Sequence, residues 1–288
     1  MYKQIPYNTN NRIVHKATSV ADLQLRIFES YSTDYLKEIC NKGVAYLVEH
    51  KNESRAIARR SDILEFLDAK DVRLFFKSAN VSQLYFLAGN PNVLNIVGEQ
   101  AAHKFLNCSY NTRKRLAKNV ALSLIVRSSG NNNDNLIIKL LNDKSPKVVA
   151  ALYSNKSAIM LIPKEVLLHT LSYGPIQSKL AIASNSSTAS ILNRIEIANY
   201  IFRAKEPEVR IAAAKNNMLI IKTRNDADIL LDDNFSVIKA LLSEKNNINY
   251  LNPIKLHKLL SGYKRNKEIK HLVYRALHHV SGYSIRRE

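Results

Sequence analysis

Apolar and small residues recur along this chain in one fixed order. Aligned on that order, the octets Thr112–Asn119, Val148–Asn155, Ser178–Asn185, Val209–Asn216, Val237–Glu244 and Ile269–Ala276 begin 36, 30, 31, 28 and 32 residues apart. That spacing leaves room for about two short helices and their turns per unit. With 3.6 residues per turn, the first, fourth, fifth and eighth positions of an octet share one helical face. The fourth position reads Arg115, Ala151, Ala181, Ala212, Ala240 and Leu272, and the fifth reads Leu116, Leu152, Ile182, Ala213, Leu241 and Val273. Small side chains let neighbouring helix axes approach while the larger ones supply burial. The pattern predicts an all-α fold, a curved right-handed α-solenoid of irregular two-helix repeats. Ala151, Leu152, Ala181, Ile182, Ala212, Ala213, Ala240 and Leu241 are the expected continuous core.

The closing position carries Asn119, Asn155, Asn185 and Asn216 before giving way to Glu244 and Ala276. Asn tolerates left-handed backbone and bonds to nearby peptide groups, so it is expected to end the first helix of each unit. Pro163 and the Ser186-Ser187-Thr188 cluster then suit the start of a second helix.

The N-terminal third is harder to phase. Helical spacing runs from Val20 to Tyr31 and from Tyr35 to Val48, Asp62 can cap a following helix, and Asp71 to Lys77 continues closely. Gly89-Asn90-Pro91 signals a turn. The expected organisation is irregular helical units over 1–80, the repeat region over 81–280 and a short basic tail over 281–288. Ser128 to Asn133 interrupts the periodicity and reads as an elongated turn between helices, with a flexible linker as the alternative.

Composition narrows the partners. No run of eighteen apolar residues exists and Met1 to Pro6 lacks a signal-peptide core, so an integral membrane protein is not expected and a cytoplasmic location is. Cys40 and Cys108 are too few for a disulfide framework or a cysteine metal site. Forty-three Lys and Arg against 24 Asp and Glu give a formal charge of +19. Such an excess draws polyanions, which makes nucleic acid or an acidic protein the expected partner.

Basic residues also recur in register. The second octet position reads Arg113, Val149, Lys179, Arg210, Ile238 and Lys270. Stacked repeats turn this column into an interrupted positive stripe, although cations that merely solubilise an exposed edge leave the same trace. Between Tyr110 and Lys118, the cations Arg113, Lys114, Arg115 and Lys118 lie close to an aromatic ring that can stack on a base. The candidate nucleic-acid contacts are therefore Tyr110, Arg113, Lys114, Lys179, Arg210 and Lys270. From Leu251 onward, nine Lys or Arg face two Glu, with Tyr263, Tyr274 and Tyr283 interspersed.

Catalytic chemistry does not assemble. His257, His271, His278 and His279 lack the spacing that places three metal ligands together. Asp226, Asp228, Asp232 and Asp233 read as helix caps and a solvated turn. No nucleophile elbow or phosphate-cradling glycine loop is present. No enzyme activity, cofactor or metal is expected.

The Ala-rich segments ending in Asn, namely Val148–Asn155, Lys179–Asn185 and Val209–Asn216, resemble HEAT-like and leucine-rich-repeat-variant α-solenoids over about residues 80–280. That resemblance implies stacked helices and macromolecular binding, to nucleic acid or, as a scaffold or adaptor, to protein. Some HEAT-like proteins are DNA glycosylases, which implies a minor enzymatic alternative. This chain has no Trp, and no Asp stands in a matching local motif, so non-enzymatic nucleic-acid binding is the principal expectation.

Overall fold

A computed structural model describes residues 31–60, 63, 65–128, 135–216 and 223–281, and all regular structure among them is helical. The expected elements at Val20 to Ser30, Asp62, Ser129 to Asn133 and the tail beyond 281 lie outside the described residues. No helix among the described residues is long and apolar enough to cross a membrane.

The N-terminal helices are α1 (Thr33–Asn41), α2 (Gly43–Glu49), α3 (Lys51–Arg59), α4 (Ala69–Ser78), α5 (Val81–Leu87) and α6 (Pro91–Ala102). Short polar side chains set their starts. Ser32, Asp68, Asn80 and Asn90 each accept a backbone N–H of the first turn of α1, α4, α5 and α6, and Asn80 and Gln83 form a reciprocal capping box. The Gly89-Asn90-Pro91 turn forms as the sequence predicts, with Pro91 opening α6.

The octets become α7 (Tyr110–Lys118), α10 (Pro146–Ser154), α12 (Ile176–Ser184), α15 (Pro207–Lys215), α17 (Phe235–Ser243) and α19 (Lys267–Ser281). Between them lie α8 (Leu122–Ser128), α9 (Leu136–Leu141), α11 (Lys164–Tyr173), α13 (Thr188–Ile191), α14 (Arg194–Ile197), α16 (Arg224–Leu231) and α18 (Pro253–Gly262), with short 3-10 or π turns. Each octet helix packs on the next, α7 on α10, α10 on α12, α12 on α15, α15 on α17 and α17 on α19, and the series extends back through α5 to α3.

Six of the eight expected core residues are buried, and Ala181 and Ala212 are half-buried against the same cluster. That cluster runs without a break from Leu36 to Leu277. Arg115, which interrupts the apolar pattern, lies over Tyr85 with its guanidinium 4.6 Å from the ring centre. It also covers Gly89, where a Cβ would meet Arg115 Nε at 2.8 Å, so a side chain at 89 would displace the guanidinium.

The closing Asn residues end their helices as expected, but not through left-handed backbone. Their backbone is extended, with φ of −68°, −78°, −78° and −87° at Asn119, Asn155, Asn185 and Asn216, not left-handed. The reason is in the side chain, which spans two units. Asn119 Nδ2 donates to Ala88 O (3.0 Å), Asn155 Nδ2 to Ala117 O (3.0 Å) and Asn119 O (2.8 Å), and Asn185 Nδ2 to Tyr153 O (2.7 Å). Asn216 Nδ2 donates to Ala183 O (2.8 Å) and Asn185 O (3.1 Å). The other end of the amide serves the residue's own unit. Asn119, Asn155 and Asn185 Oδ1 accept from Ala121, Ser157 and Ser187 N. Ser187 therefore opens the element after Asn185 through its backbone, and makes no side-chain cap.

The last rungs depart from the octet register. Where Glu244 closes the octet, Asn247 takes over from the following 3-10 turn and reaches Ala214 O at 2.9 Å. Arg275 ends the series, its Nη2 donating to Leu242 O at 2.7 Å. At the other end Asn90, also buried, caps α6 through Oδ1. Each rung satisfies a helix-end carbonyl that packing hides from water.

Loss of one rung is expected to strand such a carbonyl and an N–H together. Asn185→Ala should lower unfolding free energy by about 1–3 kcal/mol. Asn246→Ala, on an exposed neighbour of Asn247, should stay within about 0.5 kcal/mol. Urea unfolding followed by circular dichroism measures both, and equal effects would refute the ladder's structural role.

Candidate nucleic-acid interface

The basic column occupies the first turns of the octet helices, and on α7, α12 and α15 its cation fastens the helix to the turn that precedes the next one. Arg113 makes a two-pronged pair with Asp143, Nε to Oδ2 at 2.5 Å and Nη2 to Oδ1 at 3.1 Å, and its Nη1 donates to Cys108 O at 2.6 Å. Lys179 Nζ lies 2.9 Å from Glu206 Oε1 and 3.3 Å from Ser172 O. Arg210 pairs with Asp233 through Nε and through Nη2, the latter at 2.8 Å, and its Nη1 also donates to Ala204 O. Lys179 is buried, while Arg113 and Arg210 keep 19% and 15% of their side-chain surface. Lys114 and Lys270 are half-buried. Tyr110, at the start of α7, is 44% exposed, with the Lys147 ammonium 6.0 Å from its ring centre.

The six candidate residues therefore do not form one patch. They lie on α7, α12, α15 and α19, and three of them serve as pins between units. The gaps in the column follow the same rule. After Val149 the turn before the next octet helix is Gly174-Pro175, and after Ile238 it is Lys264-Arg265-Asn266, neither of which carries an acid. Among the first five units, basic second positions occur where the next turn supplies Asp143, Glu206 or Asp233. That pairing, an acid 23 to 30 residues downstream of its cation, is the signal in the sequence that marks these cations as structural.

The acidic cluster of the later units has similar employment. Asp226, read as a cap, is buried against Arg194 at 3.3 Å, and Lys255 lies 2.5 Å from Asp232 and 3.7 Å from Asp228. Lys164 and Glu196 pair at 3.0 Å. Hydrogen bonding from Asn193 N–H and then from Lys164 holds the Glu196 carboxyl below its ordinary value. The Asp143 hydrogen bonds raise Arg113, and burial pushes the Cys40 thiol up to about 11. Neither thiol is poised as a nucleophile, because burial also raises Cys108. Among the described residues no group of three or more His, Cys, Asp or Glu can hold a metal ion. A shallow cavity of about 410 Å³ between α16 and α18 is lined by Leu231, Asp232, Lys255, Lys258, Leu259, Ser261 and Gly262.

The pins determine what the turns leave outside. Asp143 and Glu206 are paired to the preceding octet helix, so the exposed charge on the turns before α10 and α15 comes chiefly from Lys144, Lys147, Arg203 and Lys205, and the turn before α19, which carries no acid, adds Lys264, Arg265 and Lys267. Exposed acids nearby are Glu208, and Asp232 and Glu268, which are paired to Lys255 and Lys239. The turn before α12 carries no cation and presents Tyr173, 81% exposed. These cations and Tyr173 were missed in the sequence because they fall between octets, outside the aligned columns.

The Lys179 pairing generates an acid dependence of stability. Its hydrogen bond holds the Glu206 carboxyl below the ordinary value. A carboxyl with a lowered folded pKa stabilises the fold above about pH 4.3, the unfolded value, and that contribution fades as pH falls through the folded value. The thermal midpoint of Glu206→Gln should lie below that of the parent near pH 7 and converge on it toward about pH 3. A difference that stays constant with pH would refute the assignment.

A scan against protein-family models found no match for this chain, and a search of the curated proteins found no relative.

Proposed function

We propose that this chain is an α-solenoid of the HEAT-like kind that binds nucleic acid without catalysis, through the turns at the starts of its octet helices. The sequential packing of octet helices supports the repeat architecture. The carrying observation for function is the sorting of charge at those turns. Carboxylates are consumed by pins to Arg113, Lys179 and Arg210, and Lys144, Lys147, Arg203 and Lys205 stand in water with no equal number of exposed acids beside them. A row of cations held by helix ends meets a polyanion with little ordering cost, and it reads phosphates, not bases. In this reading Arg113, Lys179 and Arg210 position the interface, and Tyr110 with the turn cations touches the ligand. Lys114 and Lys270 extend the same field.

A second reading, a protein scaffold, draws support from the second helices, where Ile195 and Ile254 are 73% and 79% exposed beside Arg194 and Lys255. An acidic partner with apolar anchors suits such a face.

Fluorescence anisotropy with labelled 20-nucleotide single strands and duplexes tests the first reading. Binding should weaken linearly in log affinity against log salt. The double variant Lys144→Glu/Lys147→Glu should lose about tenfold or more at moderate salt, while Lys258→Glu, on the α16/α18 side, should lose about threefold at most. A folded protein that binds neither strand type at low salt overturns the proposal.

A further inference from the structure

Aromatic and cationic positions alternate along the turn edge. Tyr110 opens α7, Lys144 and Lys147 flank the start of α10, Tyr173 precedes α12, and Arg203 and Lys205 precede α15. These helices are consecutive neighbours. Their first turns are in register, since Arg113 and Lys179 reach across to the turns before α10 and α15. Building on the nucleic-acid reading, we infer that the ligand is single-stranded, its phosphates on the paired cations and its bases stacked on Tyr110 and Tyr173.

Phosphate contact alone gives no reason for the tyrosines. Tyr173 is 81% exposed, and its ring is tilted over His169 at 5.3 Å, one helical turn back, with its outer face open to water. A duplex keeps its base faces stacked inside, so an exposed aromatic face finds a partner only when bases are free. The mount is also rigid. Gly174 N–H donates to Thr170 O at 2.8 Å, a Cβ at Gly174 would meet that oxygen at 2.6 Å, and Pro175 fixes the backbone at the start of α12. The ring is thus held outward by a turn that tolerates no other residue at 174, and little freedom is lost on stacking. Tyr110 has the Lys147 ammonium 6.0 Å from its ring, placing a phosphate contact next to a stacking contact. Neighbouring helix axes lie about 8–10 Å apart, so two steps separate Tyr110 from Tyr173 by roughly 16–20 Å. At roughly 3.4 Å per stacked nucleotide, that span is covered by about five or six nucleotides.

The experiment compares a fluorescein-labelled 20-nucleotide oligothymidylate with a hairpin duplex of equal phosphate number, at matched salt. The single strand should bind about tenfold tighter. Tyr173→Ala should weaken it about fivefold or more and leave the duplex unchanged, and Tyr173→Phe should retain affinity because the ring, not the hydroxyl, stacks. Tyr110→Ala should behave like Tyr173→Ala. Both tyrosines are solvent-facing, and circular dichroism verifies that each variant is folded. Equal or tighter duplex binding, or alanine variants that bind the single strand as the parent does, overturns the inference and leaves the nucleic-acid reading standing. Failure of the parent to bind either probe removes that reading itself.

Discussion

A buried carbonyl at the end of each octet helix has to find a donor, and the rest of the packing depends on how it does so. The last carbonyls of a helix lack intrahelical partners, and here the next unit covers them. An Asn side chain resolves this with one amide, its nitrogen donating back to the previous helix end and its oxygen accepting from the start of its own next element. One residue thereby couples two units and sets the chain's direction on leaving a helix. Extended backbone at Asn119, Asn155, Asn185 and Asn216 is the geometry that lets the side chain reach back.

Pins at the opposite helix ends complete the fastening. Arg113, Lys179 and Arg210 tie first turns to the following unit as the amides tie last turns. In the α7/α10, α12/α15 and α15/α17 pairs the two attachments lie at opposite helix ends, a restraint that an Ala-lined contact alone would not supply. The distribution of surface charge is a by-product. Each pin pairs one acid with a helix cation, which leaves Lys144, Lys147, Arg203 and Lys205 as the exposed cations of the turns before α10 and α15.

Helical content, octet boundaries and most core positions were legible in the sequence because burial imposes a 3.6-residue period that the order of apolar residues records. Asn recurrence and its helix-ending role were legible as well, but the bridge to the preceding unit was not. A side chain that caps locally and one that bridges to the unit before it leave the same letter at the same place. The acid partners of the basic column escaped for a related reason: a cation on a half-buried helix edge looks alike whether it meets solvent or a carboxylate from 23 to 30 residues away. Asn247 and Tyr173 escaped because the alignment followed the octets, and both lie outside them.

The amide ladder has a polarity. Every side-chain donor reaches toward the N-terminus, onto carbonyls that precede it by about one unit. On the ribosome, the acceptors of each unit emerge before the amide that will claim them, so each new unit meets a finished template. Assembly in the reverse order would bury donors with nothing to receive them. For these rungs, unlike the pins, whose acids follow their cations by 23 to 30 residues, the order of synthesis agrees with the order of acceptor and donor.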